Sequence, residues 1–115
     1  MATNSKNNDL NYKFQSIAEV DELPEGERLF VEVDDEYIVV IHMNDTYYAI
    51  ADLCSHDNGP LGDGYIEDHC IVCPRHGAKF NLESGEALTL PAVEDIPVYP
   101  VRIRDGMIEI GVTIN

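Results

Sequence analysis

Two short motifs, Cys54-Ser55-His56 and Cys73-Pro74-Arg75-His76, restrict this chain more than any other feature. Each pairs one cysteine with one histidine, and sixteen residues separate the pairs. Thiolates and imidazoles at such spacing are metal-ligand chemistry. The rest of the chain then has to be a scaffold that holds two loops together. In an extended segment positions i and i+2 point the same way, so Cys54 and His56 can face one centre. The second pair has the spacing of a tight knuckle. Pro74 fixes φ for the turn, and Gly77 lets the chain leave it with unusual dihedrals. Such a turn aims backbone N–H groups inward, where they can donate to sulfur.

Two kinds of metal centre compete for this donor set. Tetrahedral zinc accepts two Cys and two His, and the chain would then be a structural zinc module. Zinc motifs, however, usually keep Cys with Cys and His with His, whereas here each loop supplies one of each. A [2Fe–2S] rhomb accounts for the mixing, because each loop gives its Cys to one iron and its His to the other. The chain has three cysteines, an odd number that argues against a closed disulfide framework. Metal ligation in a reducing compartment is expected instead.

The flanking sequence predicts an all-β domain, with short strands arriving at a steady rate between turn residues. Strand patterns run over 12–20, 28–33, 37–42 and 46–51, with turns at 23–26, 34–35 and 44–45. Residues 65–67 and 70–72 read as two short strands paired around Asp68-His69, connecting one ligand loop to the other. Residues 79–82 form a further strand, and 88–96, with Pro91, read as loop. Residues 98–104 and 107–112 flank Asp105-Gly106, a strong hairpin signal because a type I′ turn needs two positive φ values.

A length of 115 residues and 44% hydrophobic content fit one domain with a small core. The balance of 7 basic and 22 acidic residues, a net charge of -15, excludes nucleic acid as a partner and disfavours an anionic membrane surface. Residues 1–10 are polar and read as a flexible tail with no apolar segment for secretion. No run approaches a membrane span. A cytoplasmic monomer is expected.

The motif C-x-H, sixteen residues, C-x-x-H resembles the Rieske [2Fe–2S] motif. The resemblance extends through L-P-E-G-E, Y-Y-A-I-A-D-L-C-S-H, G-P-L, C-P-R-H-G-A-K-F-N, S-G-E-A and D-G-M-I-E-I, over roughly residues 12–112. The whole chain is similar to stand-alone Rieske ferredoxins that serve ring-hydroxylating dioxygenases. The resemblance implies an antiparallel β-sandwich of small sheets with an inserted cluster-binding subdomain. A single domain over 11–115 would carry that subdomain at approximately 52–82. Cys54 and Cys73 would ligate an inner iron, and His56 and His76 an outer iron facing solvent. The implied function is one-electron transfer from an NAD(P)H-dependent flavoprotein reductase to a terminal oxygenase, with no catalysis by the chain itself. The alternative is the small subunit of a nitrite reductase or another multicomponent oxidoreductase.

With two thiolates and two neutral imidazoles an oxidised [2Fe–2S] centre is formally neutral, so it accepts an electron more easily than an all-Cys centre. Rieske potentials span about -150 to +300 mV. High-potential members place serine and tyrosine hydroxyls just after the second histidine, and join the ligand loops by a disulfide. Here those positions hold Ala78 and Phe80, the residue after Pro74 is Arg75, and 57–60 contains no cysteine. A potential near the low end is expected. Cys70 reads as a small buried hydrophobe, His69 as a turn residue and His42 as a surface or edge residue. Pro91 and its neighbours are expected to cover the cluster from a third side, and Leu61 to shield the first loop. Asp57, Asp63, Glu67 and Asp68 make the cluster end acidic.

Overall fold

The computed structural model describes residues 12–55, 58–90 and 94–113. Asp57 and Pro91, expected at the ligand end, lie outside the described residues, as does the segment 1–10. Among the described residues all strand pairing is antiparallel, in three small sheets. The first contains β1 (Tyr12–Glu19), β10 (Met107–Thr113) and β9 (Val101–Arg104), in that order. The second runs β2 (Arg28–Val33), β3 (Glu36–Met43), β4 (Thr46–Ala51) and β8 (Val98–Tyr99). The third is β5 (Ile66–Glu67), β6 (Cys70–Val72) and β7 (Lys79–Asn81). A 3₁₀ turn, Val20–Glu22, follows β1. The expected all-β class and small antiparallel sheets are therefore observed.

Local chemistry sets the register. Val33 pairs with Glu36, Met43 with Thr46, Glu67 with Cys70 and Arg104 with Met107. Each pairing leaves a two-residue turn, and both turn residues have positive φ at Asp34-Asp35, Asn44-Asp45, Asp68-His69 and Asp105-Gly106. Right-handed strand twist selects this primed geometry. Only the last of these turns uses glycine. Asn and Asp tolerate the left-handed region better than other side chains, which permits the rest.

The run Ile38-Val39-Val40-Ile41 on β3 organises the interior. All four side chains are buried, as in a strand covered on both faces. Ile38 and Val40 pack with Leu23, Ile108, Ile110 and Val112, towards the first sheet. Val39 and Ile41 pack with Ile50, Cys54, Leu61, Ile71, Cys73 and Phe80, towards the third sheet and the ligand loops. Strand β3 is thus the wall between the scaffold core and the ligand end.

The continuous strand expected over 98–104 is instead broken at Pro100. Val98 and Tyr99 pair with β4 in the second sheet, whereas Val101–Arg104 pairs with β10 in the first. Proline has no N–H to give a ladder, so the chain changes sheet there. The Pro100 carbonyl still accepts from the Gly111 N–H at 2.9 Å.

Candidate metal centre

The ligand loops grow from the ends of short strands. Just past β4, Asp52 turns its side chain across the base of the first loop. Its Oδ1 accepts the N–H of Leu61 at 2.9 Å and of Gly62 at 2.6 Å. Arg28, on β2, donates through Nη1 to the carbonyls of Gly62 at 2.5 Å and Gly64 at 2.7 Å. Gly64 lies so close to the segment entering the second loop that a Cβ there would stand 1.9 Å from the Val72 carbonyl oxygen. The exit of one loop is therefore fixed against the entry of the other.

Both loops close with the same backbone pattern. The N–H of Cys54 donates to Gly59 at 2.8 Å, and the Asn58 N–H returns to the Cys54 carbonyl at 2.7 Å. The N–H of Cys73 donates to Ala78 at 2.7 Å, and the Gly77 N–H returns to the Cys73 carbonyl at 2.9 Å. Asn58 and Gly77, the equivalent positions, have φ of 61° and 77°. The knuckle expected from Pro74 and Gly77 is present, and the first loop copies it without glycine at that position.

The two cysteines point to one place. Cys54 and Cys73 are buried in the same apolar cluster, and neither is in a disulfide. Burial pushes the Cys73 thiol up, but the N–H groups of Arg75 and His76, the Cys54 thiol and the Arg75 charge outweigh it, holding the thiol below its ordinary value. The inward N–H groups expected of the knuckle are thus directed at sulfur. His76 is exposed on the same loop. His56 lies outside the described residues. Two buried neighbouring thiols with N–H donors behind one sulfur and an imidazole on the solvent side fit the donor chemistry of a [2Fe–2S] group.

The surrounding residues tie the loops in ways the sequence does not announce. Arg75 Nη1 donates to the Pro60 carbonyl in the first loop at 2.5 Å. Ser55 Oγ donates to the Glu94 carbonyl at 2.6 Å, joining the first loop to the segment after Pro91. Leu61 is fully buried in the same apolar cluster as both cysteines, consistent with its expected shielding role. Ala78 and Phe80 are also fully buried there. Asp52, Arg28 and the reach of Arg75 were not legible in the sequence, since a side-chain bond to a distant carbonyl leaves no periodic signal.

Three other residues were expected to be inert. His69 sits in its turn with φ 66°, and its Nε2 accepts from Asn44 Nδ2 at 3.3 Å. Cys70 is only half-buried, not a core residue, because the tight turn leaves its sulfur near the Asp68 carbonyl at 3.6 Å. His42 is not a bare surface residue. Its Nδ1 donates to the Leu23 carbonyl at 2.8 Å, and its ring stacks on Tyr47 at 4.1 Å. Glu67 is partly neutralised by Lys79 at 2.8 Å, which tempers the acidic end formed with Asp63 and Asp68.

The family profile for the Rieske [2Fe-2S] domain matches residues 13–100. The chain belongs to the Rieske [2Fe–2S] domain family, and its cofactor is a [2Fe–2S] cluster. It is similar to the 3-phenylpropionate/cinnamic acid dioxygenase ferredoxin subunit of Photorhabdus laumondii, with 41% identity covering 84% of this chain and 92% of that protein. It is also similar to the anthranilate 1,2-dioxygenase ferredoxin subunit of Burkholderia cepacia, with 34% identity covering 87% of this chain and 93% of that protein. Among solved structures, the ferredoxin of carbazole 1,9a-dioxygenase from Nocardioides aromaticivorans IC177 superposes with a TM-score of 0.79 at 29% identity, covering 85% of this chain and 96% of that one.

Proposed function

We propose that this protein is a Rieske ferredoxin that carries single electrons from an NAD(P)H-dependent flavoprotein reductase to a terminal, ring-hydroxylating oxygenase. One observation carries the ligand assignment: Cys54 and Cys73 meet at a buried floor while His76 faces solvent. Cys54 and Cys73 would hold one iron of the cluster, and His56 and His76 the other. When bound, the cluster supplies reversible one-electron chemistry. The chain keeps water from the two sulfurs through Leu61, Ala78 and Phe80, which are fully buried beside them. The N–H groups of Arg75 and His76 stabilise negative charge on Cys73 sulfur. His76 offers a short exit for the electron at the surface.

The ferredoxin names of the similar proteins support a carrier without its own catalysis. Residues 11–115 act as one domain, and about 52–82 form its cluster-binding part. Tyr65, Leu88 and Leu90 are exposed on segments bounding the ligand loops and offer apolar area for a small, transient contact. Among the described residues no helix is long and apolar enough to cross a membrane. We place the protein in the cytoplasm, as a monomer.

The test is metal analysis with redox coupling. Aerobically purified protein is expected to contain two irons and two acid-labile sulfides per cluster. NADH and a flavoprotein reductase should bleach it, and a terminal oxygenase should restore the colour. A colourless protein with one zinc per chain would defeat the reading.

A further inference from the structure

The Arg75 side chain crosses between the ligand loops beside the cysteines. Arg75, three residues before the end of the second loop at Ala78, donates to the Pro60 carbonyl at 2.5 Å. Its guanidinium also lies against Gly59, where a Cβ would stand 2.7 Å from Nη2 and 2.8 Å from Cζ. The Gly59 carbonyl is the acceptor that closes the first loop on the Cys54 N–H at 2.8 Å. The backbone N–H of Arg75 meanwhile donates to the Cys73 sulfur. One residue therefore holds the second loop by its main chain and the first by its side chain. No disulfide joins the loops.

Charge gives the contact a second consequence. The chain has 7 basic residues against 22 acidic ones, and Arg75 places one of those few cations at the ligand loops. A fixed positive charge favours whichever redox state holds the extra electron. Resting on the ferredoxin reading above, we propose that Arg75 is a positioning residue that clasps the two ligand loops and raises the redox potential of the centre they hold. The planar guanidinium suits both tasks, since one face covers Gly59 while an edge N–H reaches the carbonyl.

Three variants separate the strap from the charge. Arg75→Gln removes the charge and the long fork. Its midpoint potential, measured by voltammetry at low ionic strength, should fall, and chelator bleaching should run about fivefold faster, the effect of one lost hydrogen bond. Arg75→Lys keeps the charge, so its midpoint should return to the wild-type value while bleaching stays fast. Gly59→Ala pushes the guanidinium off without removing its charge, and should bleach fast while holding a midpoint above that of Arg75→Gln.

An Arg75→Gln protein with wild-type midpoint and bleaching rate would overturn the proposal. So would failure of Arg75→Lys to restore the midpoint. Amide exchange of the protein as purified keeps the clasp testable by itself: the Cys54 N–H should exchange faster in Arg75→Gln than in wild type, and equal rates would overturn the clasp. Absence of an iron–sulfur spectrum in wild-type protein would sink the ferredoxin reading, while the exchange rates would still decide the clasp.

Discussion

Cys54 and Cys73 lie together in one buried cluster at the floor of the ligand end, although they belong to different loops. Neither is in a disulfide, and N–H donors stand behind the Cys73 sulfur. This arrangement favours thiolate at a point walled off by β3 and its apolar neighbours. It also divides the site, with sulfur inward and His76 outward. The division underlies the predictions on metal content and potential.

Replacing either sulfur should remove the centre. Cys54→Ser and Cys73→Ser are expected to purify without iron or red-brown colour, as checked by metal analysis and visible absorbance. His76→Cys should be milder. It keeps a ligand but adds a thiolate charge, so iron is retained and the midpoint potential falls. A Cys73→Ser protein with full iron content would contradict the assignment.

Hydroxyls introduced behind the cluster should raise its potential. Ala78 and Phe80 are fully buried beside the cysteines. Phe80→Tyr, and Ala78→Ser to a smaller degree, are expected to shift the midpoint upward by donating towards sulfur. Voltammetry on the purified variants measures this. A downward or absent shift in both would remove the explanation of the low expected potential.

Two glycines should respond differently to alanine. A Cβ on Gly64 would meet the Val72 carbonyl oxygen at 1.9 Å, a clash with backbone that cannot yield cheaply. Gly64→Ala should therefore destabilise the protein by more than about 3 kcal/mol. Gly77 has open space around its Cα and φ of 77°, so Gly77→Ala should cost only about 1–2 kcal/mol of backbone strain. Denaturant midpoints of the two variants would reveal the order.

Truncating the apolar cover should cost more than its place in a loop suggests. Leu61 is fully buried against both cysteines. Leu61→Ala is expected to lose about 2–5 kcal/mol and to speed cluster loss, seen in denaturation and bleaching together.

The Glu67–Lys79 pair should give a defined pH response. The hydrogen bond from Lys79, then its charge, holds the Glu67 carboxyl below its ordinary value of 4.5. A carboxyl lowered by folding adds stability above its unfolded value, and loses it as pH falls through the folded one. The Lys79 amine is pushed up from 10.5 by the same partner, so its share is lost as pH rises through the raised value. In Lys79→Met, Glu67 should titrate closer to 4.5 by carboxyl NMR, and added salt should do likewise in wild type. A Glu67 titration identical in both proteins would show that the pair is screened out.

The sequence alone was enough for the elements whose causes are local. Asp105-Gly106 announced its hairpin because the backbone there needs positive φ. Residues 37–42 announced a strand, and Cys54, His56, Cys73 and His76 pointed to metal chemistry by residue type and spacing. Tertiary structure decided what depends on partners far along the chain. It split 98–104 at Pro100 between two sheets, since only the neighbouring strands determine where a missing N–H can be tolerated. It put His42 onto the Leu23 carbonyl, set Asp52 and Arg28 under the first loop, and sent Arg75 across to Pro60. Such bonds join single side chains to carbonyls elsewhere, and no period or motif encodes that distance.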